Sequence, residues 1–391
     1  MANKGVKSLR VSVNPELLRW AIERAAQSVE TLENVFPKLE AWESGEAQPT
    51  LKQLERLAKR LHVPLGYLFL DAPPEEPLPI PDFRIMPHIE FSRPSPDLLD
   101  TIYLCQQRQE WYRNFLLSFS EEPLSFVSSA ALSDDPEAVA ADIVERLKLD
   151  IEERRAIPTW AQALSRFIDQ AESAGILVMV NGVVGNNTHR KLDPEEFRGF
   201  ALVDELAPLI FINGADTISA KTFTLAHELA HLWLGESGVS DSRIFRLPDQ
   251  GVERWCNQVA AELLVPEETL VQLYEPQNEL PLELNRLARI FKVSTLVILR
   301  RIFDRGYLDW ETYQQVYQDE LERLLAYERP TSEEGGGDFY RTLNRRVSKR
   351  FARAIIVSAL EGQTLFRDAY RMLGISKGET FNRFAHELGV L

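Results

Sequence analysis

The segment His227-Glu228-Leu229-Ala230-His231 sets two imidazoles four positions apart with a carboxylate between them. On a helix, residues at i and i+4 share a face, so both Nε2 atoms can reach one metal ion. The glutamate then stands where it can act on a water at that metal rather than bind the metal itself. Phe223, Ala226, Leu229, Ala230 and Trp233 supply an apolar face, and Gly235 follows as a helix stop. The alternative, two helix histidines satisfied by core hydrogen bonds, fits this context less well.

A catalytic zinc site needs a third protein ligand and leaves its fourth position to water. The stretch from Gly251 to Val265 reads as a second helix, stopped near Pro266. Glu253 shares a face with Cys256, Asn257, Ala260 and Leu264, whereas Glu262 lies two and a half turns on and points the other way. Small Ala260 would let the two helices approach closely, so Glu253 is the preferred ligand. Two other readings stay open: Glu253 as a first-turn carboxylate favoured by the helix dipole, and Cys256 as a soft ligand or a small core residue.

The elements that must position these groups precede them. Gly199 to Val203 and Pro208 to Asn213 are short apolar runs that read as a β-hairpin, with Gly175 to Val180 as a third strand. A small sheet packed on a histidine-bearing helix can offer its edge to an extended peptide.

The run Pro208 to Asn213, then Thr222 to His231, then Glu253, Cys256-Asn257 and Ala260 to Pro266, resembles the ImmA/IrrE family of zinc metallopeptidases. That resemblance spans roughly residues 175 to 270. It implies a zincin-like domain with one zinc ion per chain, held by His227, His231 and Glu253, and Glu228 as general base. It also implies a repressor-type protein substrate in stress or mobile-element regulation. Ala230 stands where the family often has glycine and Val265 where methionine is usual; neither is a ligand.

The N-terminal part carries a second resemblance. Asn14 can cap a helix starting at Pro15 and running to about Ala26. Helices are expected at Val29 to Val35, around Pro37 to Trp42, and from a Thr50 cap with Leu51, Leu54, Leu57, Ala58 and Leu61 inward. The segments Leu39 to Gly45, Pro49 to Leu54 and Leu78 to Arg84 resemble the Xre (Cro/CI-type) helix-turn-helix domains fused to ImmA/IrrE peptidases. DNA binding does not follow automatically. The recognition segment offers Lys38 beside Glu40 and Glu43, and residues 1–70 carry a net charge of only about +2. Docking of a protein partner or formation of a homodimer suits the module equally.

Residues from Asp338 onward carry about +5, which leaves about −22 for residues 71–337 within a total of −15. So acidic a middle repels nucleic acid and suits a protein partner. The basic group Arg341, Arg345, Arg346, Lys349, Arg350 and Arg353 reads first as a solvated helix face, beside the apolar stripe Phe351, Ile355, Ile356 and Leu360. Two cysteines, no leader-like N-terminus and no long apolar run predict a cytoplasmic protein without membrane contact.

The expected fold is α+β, mostly α. A helix-turn-helix bundle (1–71) and a proline-rich linker (72–96) precede a zincin-like domain with its preceding helices (97–334). Gly335-Gly336-Gly337 then marks a break before a C-terminal helical domain (338–391). The functional expectation is a zinc-dependent endopeptidase that cleaves or controls a repressor or toxin partner. The rival is a non-proteolytic antitoxin or transcription regulator that binds a toxin and DNA. His189 and Tyr274 are candidates for transition-state contacts with no spacing argument behind them.

Overall fold

The computed structural model describes residues 9–25, 28–83, 94–240, 251–327 and 339–391, with side chains left out from 325 to 341. The tri-glycine, Arg84, Ala26, Asp338 and the Arg341 side chain therefore lie outside the described residues. The chain divides into two compact units, residues 1–79 with 88–100, and residues 80–87 with 101–391.

The first unit contains α1 (Pro15–Arg24), α2 (Val29–Val35), α3 (Leu39–Glu43), α4 (Leu51–Arg60) and a 3₁₀ turn, Leu65–Phe69. Asn14 accepts the Glu16 amide at 3.0 Å with Pro15 opening the helix, and Thr50 and Gln53 form a reciprocal capping box. Leu17, Leu18, Ala21, Leu32, Leu39, Trp42, Leu54 and Leu57 fill its core. α3 starts at Leu39, two residues beyond Pro37, and runs only five residues.

Helix α5 spans Pro96–Ser118. There follow α6 (Pro136–Leu147), α7 (Ile151–Ala156), α8 (Trp160–Ser173), β1 (Leu177–Asn181), β2 (Gly199–Leu202), β3 (Leu209–Asn213) and α9 (Ile218–Leu234). Then come β4 (Gly238–Ser240), α10 (Gly251–Leu264), α11 (Glu267–Leu273), α12 (Leu280–Phe291), α13 (Thr295–Asp304) and α14 (Trp310–Tyr327). Helices α15 (Phe339–Val347), α16 (Lys349–Leu360), α17 (Phe366–Leu373) and α18 (Gly378–Glu387) close the chain.

The sheet order is β1-β3-β2-β4. β2 and β3 pair antiparallel with Phe200 opposite Phe211, as a hairpin requires, while β1 joins β3 in parallel. Val178, Ala201, Ile210 and Ile212 belong to the main core together with residues of α9. On alternate positions, Phe200 and Phe211 stack with ring centroids 5.0 Å apart, as the two-residue period of a strand dictates. From Thr222 to Trp233 every residue of α9 is buried, so this helix is the axis of the unit rather than a one-sided surface helix.

Two regions add to the sequence reading. The C-terminal helices fall in the same compact unit as the sheet. Several of the basic residues brace neighbours, while Lys349 and Arg353 are exposed. Arg345 pairs with Asp169 at 3.1 Å, Arg346 donates to Asn186 at 3.0 Å and Arg350 to the Tyr112 hydroxyl at 2.7 Å. Arg353 donates to the Leu388 carbonyl at 3.0 Å. The proline-rich stretch is likewise more than a spacer where it is described. Glu76 pairs with Arg24 in the first unit. In the second, Asp82 forms a parallel bridge with Val239 of β4. Both cysteines are free and buried. No helix among the described residues is long and apolar enough to cross a membrane.

Candidate metal centre

Helix α9 is held at both ends. Thr217 accepts the Ala220 amide at 3.2 Å to start it, and Gly235, at φ 82°, returns its amide to the His231 carbonyl at 2.9 Å to stop it. A side chain at 235 would also place Cβ 2.5 Å from the Ser128 hydroxyl. The Ser128 and Ala130 amides donate to the Leu232 and Trp233 carbonyls at 3.0 and 2.9 Å, satisfying the last turn. The Trp233 indole donates to Asp142 at 2.6 Å and stacks on Phe126. The metal-binding candidates therefore sit on a rod with little freedom to turn.

His227 and His231 bring their Nε2 atoms to 3.1 Å. Glu253, from the first turn of α10, sets Oε1 3.0 Å from His231 Nε2 and Oε2 3.3 Å from His227 Nε2. A tetrahedral ion with bonds of about 2.0–2.1 Å holds its ligand atoms roughly 3.3–3.4 Å apart, so these separations fit within about 0.4 Å. All three residues are at most 2% exposed. His227 Nδ1 lies 3.0 Å from Asn257 Oδ1. That oxygen only accepts, so Nδ1 carries the proton and Nε2 turns its lone pair inward. The three converging ligand atoms could together hold a metal ion.

Glu228 faces the same space differently. Its Oε1 accepts the Ser240 hydroxyl at 2.6 Å, while Oε2 is buried and has no bonding partner among the described residues. Burial pushes this carboxyl up to about 8, with Glu253 adding to the shift and His231 and Ser240 opposing it. For Glu253, burial alone would raise the value, but His227 and His231 outweigh it and hold the carboxyl down to about 2. One glutamate is thus kept as an anion and the other is poised to hold a proton.

Two more residues make room for this. Gly199 of β2 passes so close that a Cβ there would stand 2.5 Å from Thr224 Cγ2 and 3.1 Å from Glu228 Oε1. Ser240, at the end of β4, supplies the hydroxyl that fixes Glu228. Neither role shows in the sequence, because β4 is three residues long and without periodicity. Asn257 was recognisable only as a neighbour of Glu253 on its helix face. Phe83 was visible in the Leu78 to Arg84 run but not as a partner of His231, whose ring it stacks on at 5.6 Å and 15°.

The other candidates fall elsewhere. Glu262 is paired with Arg301 and accepts the Glu267 amide at 2.9 Å. Cys256 is buried, and burial raises its thiol well above the usual range, so it is a neutral core group. His189 is exposed, and the Tyr274 ring packs on Tyr307. Among the described residues, the three brought within 4.8 Å of one another as a ligand set are His227, His231 and Glu253.

Residues 171–303 match the family described as the IrrE N-terminal-like domain, a metallopeptidase family that is zinc-dependent in general. The match runs from the end of α8 to α13 and contains the whole centre. Residues 347–387 match a second family, described only as a domain of unknown function. No curated protein and no solved structure matches the chain.

Proposed function

We propose that the chain is a zinc-dependent metallo-endopeptidase with a helix-turn-helix module, and that it regulates by cleaving or controlling a repressor or other partner protein. The observation that carries this is the convergence of His227, His231 and Glu253 at one point beside an unbonded Glu228 Oε2. The IrrE-like match supports the peptidase class; the regulatory role extends the resemblance of residues 1–71 to Xre domains. A homodimer and DNA contact through the N-terminal domain belong to the same proposal.

His227, His231 and Glu253 would hold zinc, which lowers the pKa of a bound water and polarises a carbonyl. Asn257 orients the His227 ring through Nδ1. Ser240 fixes Oε1 of Glu228, leaving Oε2 to take a proton from the attacking water and return it to the leaving amine nitrogen. Burial of all four side chains excludes bulk water and strengthens these charge interactions.

The test separates holding from chemistry. The purified chain should carry about one zinc by elemental analysis, and Glu228→Gln should keep it while losing peptide-bond hydrolysis by at least about a thousandfold. A variant that cleaves as well as the native chain would end this reading. The rival, a non-proteolytic regulator that binds a toxin, is favoured by the deep burial of the centre. It requires Glu228→Gln to leave regulation unchanged in cells.

A further inference from the structure

An edge strand exposes a row of unpaired amides and carbonyls that another extended segment can take up. In this sheet the edge beside the metal centre is β4, and it is already taken. The Val239 amide donates to the Pro81 carbonyl at 3.0 Å, and the Phe83 amide donates to the Val239 carbonyl at 3.0 Å. Asp82 pairs with Val239 between them. The segment lies on the outside of the unit: Pro81 and Asp82 are exposed and only Phe83 is half-buried.

The Phe83 ring has a prepared place. It stacks nearly parallel on the His231 imidazole, and its other neighbour is the backbone of Gly238. A Cβ at 238 would stand 2.2 Å from Phe83 Cε2 and 2.4 Å from Cδ2, so only glycine admits the ring. The next residues of the strand are Val239, which makes both backbone bonds, and Ser240, whose hydroxyl holds Glu228. One three-residue strand therefore links an aromatic pocket, a backbone rail and the proposed base. Phe83 covers one face of His231 in a centre whose His227, Glu228 and His231 are 0% exposed.

We infer that β4 is a docking rail for an extended polypeptide bearing an aromatic side chain, and that the chain's own Pro81-Asp82-Phe83 fills it as an intramolecular occupant. A substrate of matching chemistry has to displace this segment to reach the centre. Pro81 fits the role of a holder: it offers a carbonyl but no amide, so the segment takes only two ladder bonds and can leave. The occupancy stands on the hydrogen bonds and the ring alone. The substrate clause rests on the peptidase reading above.

The experiment uses the full zinc-loaded chain and its Phe83→Ala and Phe83→Trp variants, each checked for an unchanged melting temperature. Amide exchange at Val239 and the rate of zinc transfer to a chromogenic chelator report whether the edge is covered; casein hydrolysis reports catalysis. Phe83→Ala should raise Val239 exchange and zinc transfer by about tenfold, and Phe83→Trp should stay near native. The synthetic peptide Leu-Pro-Ile-Pro-Asp-Phe-Arg, added to the Phe83→Ala chain, should restore protection, and the same peptide with alanine for phenylalanine should not. Casein hydrolysis by Phe83→Ala should exceed native. Unchanged exchange and zinc transfer in a folded Phe83→Ala chain would overturn the inference. Altered exchange and peptide rescue with no hydrolysis by any chain would retain the occupied rail and remove the peptidase reading instead.

Discussion

Two buried carboxylates of the same unit, Glu228 and Glu172, show how little burial alone says about chemistry. Burial raises the pKa of both. Glu172 spends its charge on structure: Oε1 accepts the Ser348 hydroxyl and, at 3.0 Å, the Lys349 amide, with Arg345 close by. This ties α8 to the start of α16. Glu228 has one oxygen held in the same manner, by Ser240, but the other is buried with no partner among the described residues. A satisfied buried acid is a clamp, whereas an unsatisfied one beside a ligand set is a candidate base. The unmatched atom, not the depth, separates them.

That contrast can be broken at several points. The largest effect belongs to the ligand side: Glu253→Ala should abolish stoichiometric zinc and reduce hydrolysis by at least about a thousandfold, measured by elemental analysis and peptide assay. A zinc-replete Glu253→Ala chain would dissolve the distinction. Next is the clamp. Glu172→Ala should lower unfolding free energy by about 1–3 kcal/mol in denaturant titration, because it strips partners from Ser348 and the Lys349 amide, yet leave zinc content unchanged. Loss of zinc there would mean that the two acids are not separate in kind.

The smallest effect sharpens the comparison with a third acid. Glu283 accepts hydrogen bonds from Arg286, Asn278 and the Glu275 amide. Burial alone would raise its pKa, but these partners hold it down to about 2. A value depressed in the folded state stabilises above the unfolded carboxylate value of about 4.3, and the contribution disappears as pH falls through about 2. Glu283→Gln should therefore cost about 1 kcal/mol at pH 7. The gap in melting temperature from the native chain should close between about pH 5 and pH 2. A gap that does not change with pH would refute the assignment.

What the sequence revealed of the centre follows from the range of each interaction. His227 and His231 were legible because i and i+4 is a local rule, and Glu253 was preferred over Glu262 because helix faces can be counted. The hairpin of β2 and β3 was legible from two short apolar runs joined by a short turn. Ser240 and Phe83 were not, since each acts through a strand pairing between segments far apart in the chain, with β4 too short to show a period. Gly199 acts by lacking a side chain, which pattern reading cannot distinguish from a turn. Of the basic residues near 350, Lys349 and Arg353 are exposed, as a solvated face requires, whereas Arg345, Arg346 and Arg350 are half-buried. Their partners, Asp169, Asn186 and Tyr112, lie on distant segments, so composition alone made them look solvated.

The position of Pro81-Asp82-Phe83 has a mechanical consequence. Ile80 opens a segment of the second unit and directly precedes the residues anchored on the sheet edge. An extended residue spans only about 3.3–3.6 Å, which leaves almost no slack. Tension applied at Ile80 would load two hydrogen bonds and one stacked ring. Whatever pulls on this segment thus works a short lever on the His231 ring.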